Sequence, residues 1–134
     1  MPNNWNDEII NEFRANGGTA KAFAKQPILL LHTTGAKSGT ERVNPLAYLK
    51  RGDTLYVFAT FSGQPVNPAW YHNLKAHPKV TVEVGTETFE AVATELDRAE
   101  RDDVYAEQAA FNPGFAEYET QTTRIIPVIA LTRT

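Results

Sequence analysis

Residues 29–46 read "LLLHTTGAKSGTERVNPL" and contain an apolar run, a polar turn and the start of a second apolar run. The first run, extended to residues 27–33, has the length of a strand and predicts one that is buried on both faces. The turn holds two glycines, a lysine, a serine, three threonines and an arginine. It carries more donors and positive charge than a connection between strands needs, so it is a candidate binding site.

The composition bounds the class of protein. The 134 residues suit one domain, and 42% hydrophobic with 22% charged residues predict a packed core. A net charge of −3 excludes the broad basic face of a nucleic-acid binder, so any anion site must be local. The absence of cysteine excludes disulfides, thiolate zinc sites and cysteine catalysis. Neither a membrane helix of roughly 20 apolar residues nor a signal peptide is evident, which predicts a cytoplasmic protein.

Hydrophobic patterning predicts a single domain over residues 1–134, mainly β with peripheral helices. Two hairpin turns make the sheet antiparallel, and six strands around one core in this length predict a small barrel. The predicted strands span residues 27–33, 43–50, 54–60, 79–84, 88–96 and 124–132. The predicted helices span residues 4–15, residues 67–77 and residues 97–111, with residues 1–18 as the N-terminal helix and lead-in.

Local signals set the expected ends of three elements. Asn67 is a predicted N-cap, with Pro68 at the first helical position. Asp97 and Glu100 have the spacing of a capping box, with Asp replacing the usual Ser or Thr. Pro127 has no backbone N–H and predicts an edge position or a bulge in the last strand.

Common catalytic and metal-binding motifs do not match this chain. The tetrapeptide "GAKS" at residues 35–38 ends like a phosphate-binding loop, but Leu31 and Ala36 occupy the positions that must be glycine. The three histidines form no HExxH motif and have no acidic cluster beside them, so no metal site is predicted. No GxSxG elbow is present, although a Ser-His-Asp triad from distant residues stays open.

The side chains of the polar turn suit an anionic ligand. Arg42 can bind a phosphate through two parallel hydrogen bonds, and Lys37 is a movable point charge. Gly35 and Gly39 would let backbone amides approach a ligand closely. The alternative is a solvated loop whose glycines serve only the turn geometry. The predicted helix start at residues 67–68 favours the anion site, because a helix N-terminus attracts negative charge.

Three stretches together resemble the deazaflavin-dependent nitroreductase family, whose members use coenzyme F420. They are "LLLHTTGAKSGTERVNPLAYL", "NPAWYHNLKAHPKVTVEV" and "FNPGFAEYETQTTRIIPVIAL", and the resemblance runs from Pro27 to Leu131. It implies a six-stranded split β-barrel akin to that of FMN-binding reductases, with reduced F420 as hydride donor. By position it implies cofactor contacts at Ala36, Lys37, Ser38, Arg42, Val43, Asn44, Pro45, Phe58, Ala59, Thr60, Phe61, Ala69, Trp70, Tyr71 and Asn73.

The resemblance also implies a reaction and an acceptor pocket. Phe115 and Tyr118 would roof the acceptor, and Tyr118 is the candidate proton donor. The implied activity is hydride transfer to a flat electron-poor molecule, namely a quinone, an enone or a nitroaromatic. Two alternatives stay open: an FMN-dependent split-barrel oxidoreductase, and a non-catalytic protein that binds or carries the deazaflavin. Analogy with other split barrels suggests a homodimer, and analogy with some relatives suggests peripheral membrane contact.

Overall fold

A computed structural model describes residues 4–20 and 27–134 of the chain, so the first three residues of the predicted lead-in lie outside it. Six strands form a closed antiparallel barrel in the order β1-β2-β3-β6-β5-β4, which confirms the predicted fold class. The strands are β1 (Ile28–Thr34), β2 (Glu41–Arg51), β3 (Thr54–Phe58), β4 (Lys79–Val84), β5 (Glu87–Glu95) and β6 (Val128–Arg133). The helices are α1 (Asn4–Ala15), α2 (Ala69–Ala76), α3 (Arg98–Phe111) and α4 (Gly114–Thr120), with a short 3₁₀ turn over Phe61–Gly63.

Strand β1 lies at the centre of the packing. It pairs with β2 along its whole length and with β4 at residues 30–32, which closes the barrel. Leu29 and Leu31 belong to the core inside the barrel, whereas Ile28 and Leu30 pack outside it against α1. The leucines at positions 29–31 are fully buried, so the predicted burial on both faces is confirmed. Each such side chain contributes about 1.5–3 kcal/mol of hydrophobic stabilisation.

The helices cover the outside of the barrel. Ile9 and Phe13 of α1 pack over β1, and the chain after α1 crosses the β4–β5 hairpin. A Cβ on Gly18 would lie 2.5 Å from the Cα of Gly85, so this crossing requires glycine. On another side, α3 and α4 form a second apolar layer with Tyr56 and Phe58 of β3. Among the described helices, none has both the length and the apolar character to cross a bilayer.

The predicted signals at the ends of α2 and α3 had different outcomes. Asp97 caps α3 as predicted, because its carboxylate accepts a hydrogen bond of 2.9 Å from the amide of Glu100. Asn67 does not cap α2, which begins after Pro68 with no side-chain cap. Its side-chain oxygen instead accepts a hydrogen bond of 2.8 Å from Arg124, and this partner outcompetes the helix terminus.

The C-terminal part of the chain differs from the prediction. A fourth helix, α4, follows the break after α3, where no further helix was predicted. The last strand begins at Val128 rather than at residue 124. Pro127 therefore occupies neither an edge nor a bulge, because it precedes a strand that lies between β3 and β5. Its carbonyl continues the sheet locally by accepting a hydrogen bond from the amide of Ala59.

Strands β2 and β3 pair along only part of their length, so the closed barrel is split on this side. Strand β2 pairs with β1 along residues 41–47, but its register with β3 covers only Tyr48 to Arg51. No other strand within residues 4–20 and 27–134 pairs with the second edge of residues 41–47. Pro45 lies in the middle of this segment, where a residue without a backbone N–H is tolerated.

A carboxylate on β4 ties α1 to the barrel. Glu83 accepts hydrogen bonds from Nε and Nη2 of Arg14 at 3.1 and 2.7 Å. Its Oε2 also lies 2.6 Å from Nε2 of His32 on β1. The hydrogen bond from Arg14 holds the pKa of Glu83 below its ordinary value of 4.5, although burial acts in the opposite direction.

We predict that Glu83→Gln lowers the free energy of unfolding by about 1 kcal/mol at neutral pH. Because the pKa of Glu83 is lower in the folded than in the unfolded protein, its contribution is present above pH 4.5. The contribution disappears as the pH falls through the folded-state pKa. Urea unfolding of both proteins at about pH 7 and about pH 3 measures this effect.

The difference between wild type and Glu83→Gln should shrink at the lower pH. The matched control is Glu87→Gln on the same hairpin, where a solvent-exposed carboxylate pairs with Arg133 and should contribute little. An undiminished difference at low pH would contradict the role assigned to Glu83.

Candidate active site

The open edge of β2 forms one wall of a long cleft of about 1760 Å³. Residues of α1, the loop between β3 and α2, and aromatic side chains of α4 complete the lining. All but two of the residues assigned from the family resemblance line this cleft. They are Ala36, Lys37, Ser38, Arg42, Val43, Asn44, Pro45, Phe58, Thr60, Phe61, Ala69, Trp70, Asn73, Phe115 and Tyr118.

Ala59 and Tyr71 do not line the cleft. Ala59 is fully buried in the core inside the barrel. Tyr71 packs against the same core, and its hydroxyl donates a hydrogen bond of 2.8 Å to Glu95 on β5. Burial, assisted by that carboxylate, raises the pKa of Tyr71 to about 12. Both side chains therefore support the barrel wall behind the cleft.

The glycines of the polar turn serve its geometry. The amide of Gly35 donates to the carbonyl of Thr40 at 2.8 Å, and the amide of Gly39 donates to the carbonyl of Gly35 at 3.0 Å. Gly39 has a φ of 69°, and a Cβ on Gly35 would lie 2.4 Å from the Ser38 hydroxyl. The amides of Gly35 and Gly39 themselves close the turn, so any backbone amide that the turn offers to a ligand belongs to another of its residues.

Asn73 fixes the turn to α2. Its Oδ1 accepts a hydrogen bond of 3.0 Å from the amide of Ala36, and its Nδ2 donates to the hydroxyl of Thr33 at 3.3 Å. Asn73 and Thr33 are both buried. The Ser38 hydroxyl accepts a hydrogen bond of 3.2 Å from the amide of Thr40. These bonds give the turn a defined shape before any ligand binds.

Two cations extend from this fixed turn into the cleft. Lys37 and Arg42 are exposed, and neither side chain makes a hydrogen bond or an ion pair with any of the described residues. Arg14, a third cation in the cleft, is instead neutralised by Glu83. Unpaired donors at the mouth of a cleft are available to an anion, and the guanidinium can bind it bidentately.

Aromatic rings line another part of the same cleft. Phe58 on β3 meets Phe115 on α4 edge to face at 5.4 Å, and Phe115 meets Tyr118 at 5.6 Å between ring centroids. The buried Tyr105 of α3 donates a hydrogen bond of 2.6 Å to the carbonyl of Phe115 and so holds the start of α4. Burial raises the pKa of Tyr105 well above its ordinary range, which keeps the hydroxyl protonated as a donor.

The sequence did not point to several of the lining residues. Those on β2 directly adjoin the assigned residues 42–45, so their place in the same predicted strand was a signal that could have found them. Those on α1 reach the cleft through long-range docking, for which the sequence carries no local signal. The lining residues that the family resemblance did not assign are Asp7, Ile10, Asn11, Arg14, Gly35, Glu41, Leu46, Ala47, Pro68 and His72. Within the described part of the chain, no cluster of acidic residues and histidines could hold a metal ion.

Comparison with known proteins gives concordant matches. Residues 5–133 match the family model described as F420H(2)-dependent quinone reductase. A protein of Mycobacterium tuberculosis (strain ATCC 25618 / H37Rv) named F420H(2)-dependent quinone reductase is 39% identical over 110 residues, which is 80% of this chain and 74% of the relative.

Two solved structures have a similar fold. One, described as an F420-H2 dependent reductase (FDR-A), has a TM-score of 0.72 at 39% identity and covers 78% of this chain and 93% of its own. The other, described as a domain-swapped dimer, has a TM-score of 0.73 at 34% identity. The match covers 98% of this chain and 99% of the chain in that structure. The family match extends over nearly the whole chain and agrees with the observed barrel. The chain therefore belongs to the F420H(2)-dependent quinone reductase family of split-barrel oxidoreductases.

Proposed function

We propose that this protein transfers a hydride from reduced F420 to a quinone. The quinone gains one hydride and one proton and becomes the hydroquinone, while F420 becomes oxidised. The observation that carries the proposal is one continuous cleft that joins the unpaired cations of the turn to a group of aromatic rings. A cofactor with a flat ring and an anionic tail matches both parts. The names of the similar proteins support the same cofactor and acceptor.

The cationic turn would hold the tail of the cofactor. Arg42 binds its phosphate through a bidentate pair of charge-assisted hydrogen bonds, and Lys37 adds a mobile charge. Asn73 acts indirectly, because its side chain is already bonded to Ala36 and Thr33 and keeps the turn in place. Fixing the tail at this end fixes how far the ring reaches along the cleft.

The aromatic part of the cleft would receive the ring and the acceptor. When bound, reduced F420 supplies the hydride, and the protein supplies orientation and water exclusion. Phe58 and Phe115 are buried and present a dry surface, and Thr60 and Phe61 line the adjacent wall. A flat quinone stacks against this surface, with the half-buried Tyr118 beside it.

The first test compares cofactors. Titration of the purified protein with F420 and with FMN, followed by fluorescence, should show tighter binding of F420. Equal or tighter binding of FMN would favour the FMN-dependent alternative and contradict the proposal.

We predict that Arg42→Ala weakens F420 binding about 10- to 150-fold, because it removes a charge-assisted contact of roughly 1.5–3 kcal/mol. The matched control is Lys50→Ala, which removes one exposed positive charge from the same strand outside the cleft. Lys50→Ala should leave the dissociation constant nearly unchanged. An unchanged affinity in a folded Arg42→Ala variant would refute the role of Arg42.

Catalysis is tested by stopped-flow oxidation of the bound reduced cofactor. We expect menadione to be reduced at least about tenfold faster than by free reduced F420, because both reactants are held in one cleft. Cyclohexenone and a nitroaromatic test whether the acceptor range extends beyond quinones. A rate equal to that of free cofactor for every acceptor would favour the carrier alternative.

Tyr118 is the proposed proton donor to the reduced quinone. We predict that Tyr118→Phe lowers kcat for menadione by about 100-fold while the affinity for F420 stays nearly constant, since a general acid typically contributes about 10²–10⁴. The solvent deuterium isotope effect on kcat should change in the variant. Unaltered kcat and isotope effect would assign the proton to water.

A further inference from the structure

Arg124 bonds to the loop that forms the wall of the cleft between β3 and α2. Its Nε donates to the carbonyl of Gln64 at 2.9 Å, and its Nη1 donates to Oδ1 of Asn67 at 2.8 Å. Its Nη2 donates to the carbonyl of Thr60 at 2.9 Å. One guanidinium therefore joins the beginning, middle and end of residues 60–67.

The chemistry of these contacts favours a structural clamp. Two of the three acceptors are backbone carbonyls and the third is an amide, so no carboxylate among the described residues neutralises Arg124. Desolvation by burial lowers the pKa of Arg124, yet a guanidinium remains charged in proteins. Its planar fork matches several acceptors at fixed angles, which a lysine ammonium cannot reproduce.

The clamped loop has an unusual backbone. Phe61 has a φ of 47°, which is uncommon for a residue with a side chain and therefore strained. Its ring is 46% exposed and lines the cleft. Gly63 has a φ of 76°, and a Cβ there would lie 2.2 Å from Oε1 of Gln121. The loop is therefore both strained and tightly packed against the segment that carries Arg124.

That segment is itself anchored. The buried Arg101 of α3 donates to the carbonyl of Ile126 at 2.9 Å and to Glu119 at 2.8 Å. Its guanidinium also stacks over the ring of Tyr105 at 4.5 Å. Arg124 thus extends from a segment that is itself bonded to α3 through Arg101.

We propose that Arg124 is a positioning residue that holds residues 60–67 as a preformed wall of the cofactor cleft, with Phe61 in its left-handed conformation. The identity of the cofactor rests on the proposed function, whereas the clamp does not. A preformed wall avoids the entropy of ordering a loop when the ring binds, so the clamp acts on cofactor affinity. Thr60 and Phe61 are the residues through which the clamped loop is seen to line the cleft.

The experiment uses two readouts and two independent ways to disturb the loop. Arg124→Gln removes the forked cation, and Gly63→Ala strains the loop by placing a Cβ on a residue with a φ of 76° and against the side chain of Gln121. The first readout is hydrogen exchange of the amides of Gly63 and Gln64 in the protein without cofactor, since both close the 3₁₀ turn. The second readout is the dissociation constant for F420.

Both variants should speed exchange of these two amides at least about tenfold and weaken F420 binding by a similar factor. The effect should be larger on affinity than on kcat at saturating cofactor. Arg124→Lys should recover little of the loss, because it keeps the charge but not the geometry. Full recovery with lysine would overturn the positioning role and leave only a charge effect.

Each variant has a matched control. Gly52→Ala introduces the same kind of backbone strain at a φ of 58°, but a Cβ there meets nothing within 4 Å and the turn lies outside the cleft. Arg98→Gln removes an exposed arginine paired with Asp102 on α3. Neither control should change loop exchange or F420 affinity.

The outcomes separate the two proposals. The clamp would be overturned if a folded Arg124→Gln variant and the Gly63→Ala variant both kept the wild-type amide exchange rates and the wild-type affinity for F420. Absence of F420 binding by the wild-type protein would instead overturn the proposed function, and the exchange readout would still decide the clamp. If Arg124→Gln does not fold, Gly63→Ala provides the same test, because it disturbs the loop at its contact with Gln121.

Discussion

The burial of β1 on both faces is the constraint on which the rest of the structure depends. A strand whose leucines at positions 29–31 are fully buried needs cover inside the barrel and outside it. Pairing of β1 with β2 and β4 closes the barrel around its inner side chains, and α1 covers its outer side chains. The turn that follows β1 is consequently placed at the mouth of the barrel, where Lys37 and Arg42 extend into the cleft.

The irregular walls of the cleft are held by side chains where regular structure stops. Asn73 bonds the cationic turn to α2, and Arg124 bonds the opposite loop to the C-terminal segment. Arg101 and Tyr105 then attach that segment and α4 to α3. Arg101, Tyr105 and Arg124 do not line the cleft and support its walls from behind, whereas Asn73 lines the cleft with its side-chain amide already bonded to the turn. In the described part of the chain, the two cations of the turn consequently remain unpaired, while the buried Arg101 is bonded through Nε and both terminal nitrogens.

Much of the fold was predictable, because alternation and capping are local signals. The bounds of α1 and β4 follow from periodicity, and Asp97 caps its helix through its own side chain. Helix α4 was missed because Pro113 and Gly114 read as a break, whereas tertiary packing of Phe115 stabilises a helix too short to form alone. Family resemblance located most of the cleft, but position along a chain does not give side-chain direction. Ala59 and Tyr71 therefore lie behind the wall, and the contribution of α1 depends on docking that no local pattern encodes.

The unpaired edge of β2 has a consequence for how the molecule behaves among its neighbours. A free strand edge offers a template on which another polypeptide can add a strand, the first step of many aggregation routes. Here the edge contains Pro45, which offers no N–H, and it begins with the charged Glu41 and Arg42. The flanking helix and loop also enclose it within a cleft wide enough for a small molecule. The cleft beside this edge thus has room for a small molecule, while the sequence of the edge discourages strand addition.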